Sequence, residues 1–459
     1  MSVHAERRAR LAQAMAAAGG GVAVLANAPE RTRSTDSDHP YRHDSNFHYL
    51  TGFDEPQAWL LLHASGRSVL LCREKNPERE VWDGARLGPQ AAPVALGVDA
   101  ALPIEALDAT LARELADQGA VWFAFAGASE ASRIETALAA IRGRSHHGEA
   151  CPTQQRDLAA LLAEMRLVKD ATELDTMRRA GTISAGAHVR AMRWCGARYR
   201  AEPHAEVPEY EIEAELLHEF RRHGAQSPAY PSIVAAGANA CVLHHSAGAT
   251  RLRAGELCLI DAGCELDGYA SDITRTFPAN GRFTPAQREL YELVLAAQLA
   301  AADATRPGAR QRDAHHAAVR VLAQGMLDTR LLDRAIVGDV DAVIDSAAYR
   351  RFYMHGTGHW LGRDVHDVGD YLAADEAAFD QSDGLGGRVV RKPSRLLRPG
   401  MVVTLEPGLY VRPGEDVPKH FWNLGIRIED DAVVTASGCE LISRGVPVEA
   451  AAIEALMRG

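Results

Sequence analysis

Short apolar runs alternate with longer amphipathic stretches through about the first 160 residues of the chain. The runs "GVAVLAN", "AWLLLHA", "SVLLCRE" and "AVWFAFAG" have the length and composition of strands. Between them, "IEALDATLARELADQ" and "ASRIETALAAIRG" are rich in Ala and Leu and have the character of helices. This alternation of strands and helices predicts an α/β domain.

A strong helix signal follows this region. Asp170 and Glu173 have the spacing of a capping box at the start of a helix. Apolar residues then recur at helical spacing, at Leu174, Met177, Ala180 and Ala187. We therefore predict a domain boundary here, between an α/β domain of residues 1–169 and a second domain of residues 170–459. The second domain begins with helices and continues with strands and hairpins.

Length and composition agree with a two-domain globular protein. The chain has 459 residues, too many for one ordinary hydrophobic core. Its content of 47% hydrophobic and 24% charged residues is typical of an enzyme and excludes a disordered or fibrous protein. No apolar run approaches the roughly 20 residues that span a bilayer, and the first residues do not resemble a secretory signal. We expect no membrane partner.

Cysteine usage and net charge further restrict the possible class of protein and its partners. The seven cysteines are scattered and show no CxxC spacing, which argues against a zinc ribbon or a disulfide framework. They are typical of buried thiols in a reducing cytoplasm, which is the location that we expect. The net charge of -11 argues against nucleic acid as a partner.

Two acidic residues interrupt the apolar pattern of "LIDAGCELDGYASDITRTF". Asp261 ends an apolar run that begins at Cys258, and Asp272 follows eleven residues later. Asp267 and Gly268 are a turn signal between the two runs. If the hairpin folds about this turn, the numbers of facing residues sum to about 533. This register predicts that Asp261 and Asp272 are cross-strand neighbours. Such like charges are destabilising unless they are compensated, and the alternative is two solvated hairpin aspartates.

Two more acidic residues occupy apolar segments farther along the chain. Glu406 ends the apolar run of "MVVTLEPGLYV" and is followed by Pro-Gly, and Glu429 lies in "LGIRIEDDAVV". Arg427 precedes Glu429 by two residues, so both side chains point to the same face of a predicted strand. A structural ion pair between Arg427 and Glu429 is the alternative to a functional role for these two residues.

Histidines cluster between the two groups of acids. The stretch "FYMHGTGHWLGRDVHD" holds His355, His359 and His366 in a glycine-rich setting. A single histidine is usually structural, whereas three in a glycine-rich loop beside a strand favour a site. The stretch "ACVLHHSAG" adds His244 and His245 at the end of another apolar run.

One account explains all these residues: four carboxylates and one imidazole bind two divalent cations. Carboxylate-dominated ligation suits Mn²⁺, Mg²⁺ or a similar hard ion and needs none of the cysteines. The cations would balance carboxylate charge that is otherwise costly to bury. Two metals about 3.5–4 Å apart can activate a bridging hydroxide. The other histidines and Arg427 can then stabilise charge on a substrate carbonyl or orient a ligand. This chemistry is metal-assisted hydrolysis of an amide or ester.

The order Asp, Asp eleven residues on, His, Glu and Glu resembles that of the pita-bread metallopeptidases, which include methionine aminopeptidase, prolidase and aminopeptidase P. The stretches similar to bacterial aminopeptidase P are "LIDAGCELDGYASDITRTFP", "FYMHGTGHWLGRDVHDVG", "EPGLYV" and "GIRIEDD". Near the amino terminus, "RSTDSDHPYRHDSNFHYLTGFDEP" and "VWDGARLG" resemble the smaller domain of that family. The resemblance covers nearly the whole chain. It implies an α/β (α+β) fold in which a small amino-terminal α/β domain precedes a pita-bread catalytic domain.

The resemblance also implies roles for individual residues. The positions that match the family's metal ligands are Asp261, Asp272, His359, Glu406 and Glu429. Those that match histidines lining the site, binding substrate or stabilising the intermediate are His244, His355 and His366. Arg427 matches a residue beside the ligand glutamate. In the family Mn²⁺ is the usual activating metal, and Zn²⁺ or Co²⁺ can occupy similar sites.

The implied reaction removes the amino-terminal residue from peptides with proline in the second position. A hydroxide that bridges the metals attacks the carbonyl before the proline, and the glutamate that matches Glu406 shuttles the proton. Family members are often dimers or tetramers, so we expect a homo-oligomer, with the amino-terminal domain contributing to substrate access and assembly. Trp82 in "VWDGARLG" matches a small-domain residue that helps to close a neighbour's site; the alternative is a buried core tryptophan.

The chain departs from the bacterial enzymes at about residues 370–397, where "DYLAADEAAFDQSDGLGGRVVRKPSRLL" is longer than the corresponding interval. A solvated surface insertion is one interpretation, and a flap that restricts the pocket or alters oligomer packing is the other.

Three other functions remain as alternatives. A prolidase, which cleaves only Xaa-Pro dipeptides, shares the metal ligands. A non-catalytic peptide-binding protein on the same fold would have little reason to keep charges this costly to bury. A creatinase-like hydrolase uses the fold without metals and should lack the acidic ligand set.

Overall fold

The computed structural model describes residues 2–382 and 388–459. Contacts divide the chain into two compact units, Met1–Met165 and Arg166–Gly459. The predicted boundary between residues 169 and 170 stays a prediction. The predicted capping box is confirmed, because Asp170 and Glu173 exchange hydrogen bonds at the start of the helix Ala171–Ala201. Among the described residues, no helix combines the length and the apolar composition that a membrane span requires.

The first unit is built around a mixed six-stranded sheet. Its strands lie in the order Ala100–Pro103, Ser68–Cys72, Trp59–His63, Val22–Ala26, Ala120–Phe123 and Gln154–Asp157. A short hairpin pairs Thr32–Ser34 with Ser37–Asp38. The helices that begin within this unit are Val3–Ala17, Ser45–Thr51, Pro77–Asp83, Gly88–Leu96, Leu107–Leu115, Ala128–Gly143 and Leu158–Leu167.

Both faces of this sheet are covered, which explains its continuous apolar runs. Leu60 and Leu62 belong to one hydrophobic cluster, whereas Leu61 belongs to a second cluster on the other face. The four predicted strands and both predicted helical stretches are present, so the predicted α/β class of this part is confirmed. Trp82 is 83% exposed, and the alternative of a buried core tryptophan is therefore wrong.

The second unit combines long helices with many short strands. Its helices are Ala171–Ala201, Glu209–Arg222, Pro285–Ala304, Gln311–Asp328, Arg334–Val337, Val340–Asp345 and Ala450–Arg458. Its strands are Glu206–Pro208, Ser227–Pro228, Ile233–Ala236, Arg251–Arg253, Leu257–Asp261, Cys264–Leu266, Tyr269–Ala270, Thr274–Pro278, Phe379–Ser382, Arg388–Arg391, Val402–Leu405, Gly408–Val411, Leu424–Arg427, Asp430–Val434 and Cys439–Leu441. One large hydrophobic core joins the four longest helices to the strands.

Antiparallel pairings bring the acid-bearing strands into small sheets. One sheet has the order Ile233–Ala236, Leu257–Asp261 and Thr274–Pro278. Another has the order Val402–Leu405, Asp430–Val434 and Cys439–Leu441. The strands Gly408–Val411 and Leu424–Arg427 form a hairpin. The apolar side chains of these strands pack into the core, which places the acids at their ends in fixed positions.

The turn between the first two predicted acids is a two-residue turn. Asp267 and Gly268 both have positive φ, of 51° and 74°, as a type I′ turn requires. Leu266 therefore faces Tyr269. The turn signal read from the sequence is confirmed at these two positions.

The register beyond this turn differs from the predicted one. Asp261 faces Thr274, so the predicted cross-strand pairing of Asp261 with Asp272 is wrong. A two-residue turn makes the numbers of facing residues sum to 535, not 533. Asp272 lies in a segment that crosses close to Gly263, where an added Cβ would lie 1.8 Å from the carbonyl oxygen of Ser271. Only glycine permits this approach.

Residues 370–397, which the sequence predicts to be an insertion and which we call the insertion, contain a β-hairpin in which Phe379–Ser382 pairs with Arg388–Arg391. Residues 383–387, between these strands, lie outside the described residues. At the base of the insertion, the Arg310 guanidinium donates to both carboxylate oxygens of Glu376 and to the carbonyl oxygen of Ser394. These bonds tie the insertion to the start of the helix Gln311–Asp328.

Candidate active site

One cavity of about 540 Å³ in the second unit brings together the acids and histidines singled out in the sequence. The predicted residues that line it are His244, Asp261, Asp272, His355, His359, His366, Glu406, Arg427 and Glu429. These residues come from widely separated parts of the chain. The cavity therefore depends on the tertiary fold and not on any local motif.

Tyr230 joins the two aspartates that are not cross-strand partners. Its hydroxyl group lies 2.6 Å from Asp261 Oδ1 and 2.5 Å from Asp272 Oδ1, and it donates to these oxygens. Asp261 Oδ2 accepts from Arg427 Nη2 at 2.6 Å. The backbone N–H of Asp272 donates to the carboxylate of Asp431 at 3.2 Å. These contacts hold the two aspartates close together.

A chain of hydrogen bonds orients Glu429 and Arg427. Arg427 Nε donates to Thr274 Oγ1 at 3.1 Å, and this hydroxyl group donates to Glu429 Oε2 at 2.6 Å. Arg427 Nη1 donates to the Tyr410 hydroxyl oxygen at 2.9 Å. The ion pair of Arg427 is formed with Asp261. The guanidinium therefore contacts the carboxylate cluster through Asp261 and Thr274.

His359 directs one ring nitrogen at the carboxylates. Its Nδ1 donates to the carbonyl oxygen of Trp360 at 2.9 Å. Nε2 then faces Asp272 Oδ2 at 3.4 Å and Glu406 Oε1 at 3.8 Å. A metal binds the unprotonated nitrogen of a histidine, and a hydrogen bond from the other nitrogen fixes that tautomer. The His366 ring stacks on His359 at a centroid distance of 4.1 Å.

His355 is a neutral imidazole at the edge of the cluster. Its Nδ1 donates to the carbonyl oxygen of Gly356 at 2.7 Å, and Nε2 accepts from the Tyr410 hydroxyl group at 2.8 Å. Burial, followed by the nearby charge of Arg427, lowers the pKa of His355 to about 4. Its Nδ1 lies 3.7 Å from Glu406 Oε2.

Three carboxyl groups of the cluster, those of Asp272, Glu406 and Glu429, resist ionisation. Burial, and then repulsion by Asp261, raises the pKa of Asp272. Burial raises the pKa of Glu406 to about 7, and burial followed by the charge of Asp272 raises that of Glu429. Burial also opposes a charge on His359, but the adjacent Asp272 outweighs it and raises the pKa of His359 to about 9. The cluster therefore needs more positive charge than Arg427 supplies.

These residues fit a site for divalent cations. Ligand atoms of Asp272, His359 and Glu429 all lie within 4.8 Å of one another, and Asp261 and Glu406 line the same cavity. Oxygen-rich donors with one imidazole suit hard or borderline dications. Dications would also stabilise the ionised form of carboxylates that are costly to bury without a counter-charge.

The other predicted histidines have different surroundings. His244 and His366 line the cavity, and burial lowers the pKa of His366. His245 also lines the cavity, but its Nε2 lies 2.9 Å from Oε2 of the fully buried Glu209. His245 is therefore held in the wall by that pair.

Three residues that hold the candidate ligands were not predicted from the sequence: Tyr230, Thr274 and Asp431. Tyr230 lies in "SPAYPSIV", and nothing in that segment predicts a contact with acids farther along the chain. Thr274 is one of several small polar residues near the hairpin. Asp431 carried a signal, because it is an acid within the apolar strand Asp430–Val434, and the structure buries it completely.

Fold and site together define the class of this protein. Residues 175–436 match the family model of metallopeptidase family M24, and residues 4–122 match that of the aminopeptidase P N-terminal domain. The chain therefore belongs to metallopeptidase family M24 and carries the amino-terminal domain of the aminopeptidases P. The predicted fold class, an amino-terminal α/β domain followed by a pita-bread domain, is confirmed.

Individual relatives are similar over almost their whole length. The chain is 42% identical to the Xaa-Pro aminopeptidase of Escherichia coli, over 95% of this chain and 94% of that protein. It is 41% identical to the Xaa-Pro aminopeptidase of Haemophilus influenzae, over 93% and 91%. The solved structure of Pseudomonas aeruginosa aminopeptidase PepP superimposes with a TM-score of 0.89 at 44% identity, covering 99% of this chain and 98% of that one.

Proposed function

We propose that this metalloaminopeptidase removes the amino-terminal residue from peptides whose second residue is proline. One observation carries the proposal. Five candidate metal ligands and four further histidines line one cavity, in a chain whose relatives are Xaa-Pro aminopeptidases. The aminopeptidase P domain at residues 4–122 favours this activity over that of a prolidase.

Two divalent cations would be held by Asp261, Asp272, His359, Glu406 and Glu429. When bound, they lower the pKa of water in the site and polarise the scissile carbonyl. Mn²⁺ is the ion that we propose, because four of the five donors are carboxylates, and Zn²⁺ or Co²⁺ are the alternatives.

Glu406 is the proposed proton carrier of the reaction. Its carboxyl group lines the cavity, with Oε1 3.8 Å from His359 Nε2 and Oε2 3.7 Å from His355 Nδ1, which places it beside a substrate bound there. Glu406 takes a proton from the attacking water and delivers it to the proline nitrogen as the peptide bond breaks. The bond from the carbonyl carbon to this nitrogen is replaced by a bond to oxygen, which leaves a free amino acid and a shortened peptide.

The remaining cavity residues act on the substrate or position the ligands. We assign His244 and His366 as hydrogen-bond donors to substrate oxygens, because both line the cavity without belonging to the ligand set. His355 presents a neutral ring beside Glu406 and contacts substrate from that side. Arg427 positions Asp261 through their 2.6 Å contact.

The protein is further proposed to be a cytoplasmic homodimer or homotetramer. All seven cysteines are free thiols, as is usual in a reducing compartment. Trp82 is an exposed tryptophan on the helix Pro77–Asp83, and exposed aromatic residues are enriched at protein interfaces. In this assembly the amino-terminal domain contributes to subunit contacts and to substrate access.

Hydrolysis of matched Xaa-Pro and Xaa-Pro-Pro peptides tests the proposal, with chelator and with Mn²⁺, Zn²⁺ or Co²⁺ added separately. We expect the tripeptide to be cut at least as readily as the dipeptide, the chelator to abolish cleavage and Mn²⁺ to restore it. Cleavage of the dipeptide alone would identify a prolidase. Metal binding without cleavage of either peptide would identify a non-catalytic binding protein.

A further inference from the structure

A second cavity, of about 750 Å³, adjoins the candidate active site. His355, Gly356 and Gly358 line both cavities, so the two cavities meet along this short segment. We call the second cavity the basic pocket. Besides His355, the basic side chains that line it are Arg312, His315, His316, Arg320, Arg350 and Arg391.

The charged side chains that line the basic pocket are all of positive sign. In the part of the chain that the structure describes, no Asp or Glu lines this pocket. The protein as a whole has a net charge of -11, so the overall charge does not account for a pocket whose described lining holds four arginines and no acid. A concave surface of one charge sign attracts ligands of the opposite sign.

Three of the four arginines lack a carboxylate partner among the described residues, namely Arg312, Arg350 and Arg391. Arg320 pairs with Asp341 at 2.8 Å. These three arginines are exposed and line the same pocket. Burial, followed by the charges of His316, Arg312 and Arg350, lowers the pKa of His315 to about 4. The surroundings of this partly buried ring are therefore electropositive.

The insertion supplies part of this pocket. Arg391 ends the second strand of its hairpin, and the ion pair of Arg310 with Glu376 anchors the insertion beside the helix Gln311–Asp328. Arg312 belongs to the first turn of that same helix. The predicted insertion thus places a positive charge next to the candidate active site.

The pocket also contacts the segment that holds the proposed proton carrier. His315 Nδ1 lies 2.8 Å from Thr357 Oγ1, and the backbone N–H of Glu406 donates to the Thr357 carbonyl oxygen at 2.8 Å. An extended peptide advances about 3.3 Å per residue. Thr357 alone thus separates His315 of the basic pocket from the backbone of Glu406, a distance that a few residues of extended substrate past the proline would span.

We propose that the basic pocket binds carboxylate groups of the substrate on the carboxyl side of the proline. The enzyme then prefers peptides with acidic residues a few positions past the scissile bond. This inference rests on the proposed peptidase function and names a substrate class for it. Arginine supports such recognition because its planar guanidinium presents several donors to one carboxylate.

The test compares the amides of Ala-Pro-Ala-Glu-Glu and Ala-Pro-Ala-Gln-Gln, which differ only in charge at two positions. We expect kcat/KM to favour the acidic peptide by about fivefold at low ionic strength, through KM, as exposed ion pairs of this kind allow. In the triple variant Arg312→Gln/Arg350→Gln/Arg391→Gln the ratio should fall to about 1. Arg282→Gln, an exposed arginine that lines neither cavity, is the matched control and should keep the ratio.

A third peptide, Ala-Pro-Ala-Gln-Gln with a free carboxyl terminus, separates the two sources of carboxylate. Preference for this peptide over its amide assigns the pocket to the chain terminus, and preference for the glutamate peptide assigns it to side chains. Equal kcat/KM for all three peptides, or a preference that survives in the triple variant, would refute the proposal.

Binding measurements keep this inference separate from the proposed activity. If neither amide is cleaved, the peptidase proposal fails. Calorimetric titration of the same peptides in the presence of chelator then tests whether the basic pocket binds acidic peptides. The acidic peptide should bind the full-length protein more tightly than its glutamine counterpart, and the triple variant should remove that difference. Equal affinities would overturn the pocket assignment.

Discussion

Tyr230 offers a sharp test of how the carboxylate cluster is held. Its single hydroxyl group lies within hydrogen-bond distance of both Asp261 and Asp272, at 2.6 Å and 2.5 Å. The substitution Tyr230→Phe removes this donor and leaves the aromatic ring. The two carboxylates then keep their mutual repulsion but lose the proton donor that both of them contact.

The expected size of the effect follows from the number of bonds lost. One hydroxyl proton makes one full hydrogen bond at a time, and a bond to a charged group contributes about 1.5–3 kcal/mol. At about 1.4 kcal/mol for each factor of ten, this predicts metal binding that is about 10- to 100-fold weaker. Loss of a group that orients a metal ligand has effects of the same size in other metal sites.

The measurement is the dissociation constant of Mn²⁺ for the full-length protein, by calorimetry and by the electron paramagnetic resonance signal of free Mn²⁺. Tyr210→Phe is the matched control, because Tyr210 is 51% exposed and lies outside the cavity. We expect the control to bind Mn²⁺ like the unmodified protein. Circular dichroism and the thermal unfolding midpoint establish that both variants are folded.

An unchanged Mn²⁺ dissociation constant in the folded Tyr230→Phe variant would refute this reasoning. It would mean that the cations themselves hold Asp261 and Asp272 in place, so that the tyrosine contributes nothing to metal binding. A fully retained affinity with lower turnover would instead place the hydroxyl group among the residues that contact substrate.

Three further predictions follow from the site and its surroundings. Asp272→Ala should remove bound metal and hydrolysis together, and near-normal activity would contradict its assignment as a ligand. His244→Ala should lower kcat by about 100-fold at unchanged metal content, and loss of metal would make His244 a ligand. Burial lowers the pKa of His188 to about 4 in the folded protein. Between pH 4 and about 6.5 the unfolded chain therefore binds more protons than the folded protein, and the free energy of unfolding decreases as the pH falls through that window. His188→Gln should reduce the slope of the unfolding free energy with pH by an amount that corresponds to up to about one bound proton. An unchanged slope would contradict this prediction.

Much of the architecture could be predicted from the sequence because its signals are local. The apolar runs around Val24 and Leu61 have strand length, and a capping box of Asp170 and Glu173 needs only three residues of separation. The order of the acids and His359 indicated a dication site, because carboxylates in apolar segments require a counter-charge wherever the strands pack.

Contacts between distant residues could not be predicted in the same way. The register beyond Asp267 was wrong by two residues, because it depends on which positions form the turn. The contact of Tyr230 with Asp261 could not be predicted, because nothing in the sequence around either residue indicates that the two are close in space. Arg391 also reaches its pocket only because the insertion packs beside another helix.

By itself, the sequence determined which side chains were available for catalysis, how the strands and helices alternate and where charge would be costly to bury. The tertiary structure alone decided which oxygens converge, that Arg427 pairs with Asp261, and that unpaired arginines gather beside the catalytic cavity. The physical reason is that local patterns act over a few residues, whereas these contacts are set by how a common hydrophobic core packs elements that are far apart in the chain.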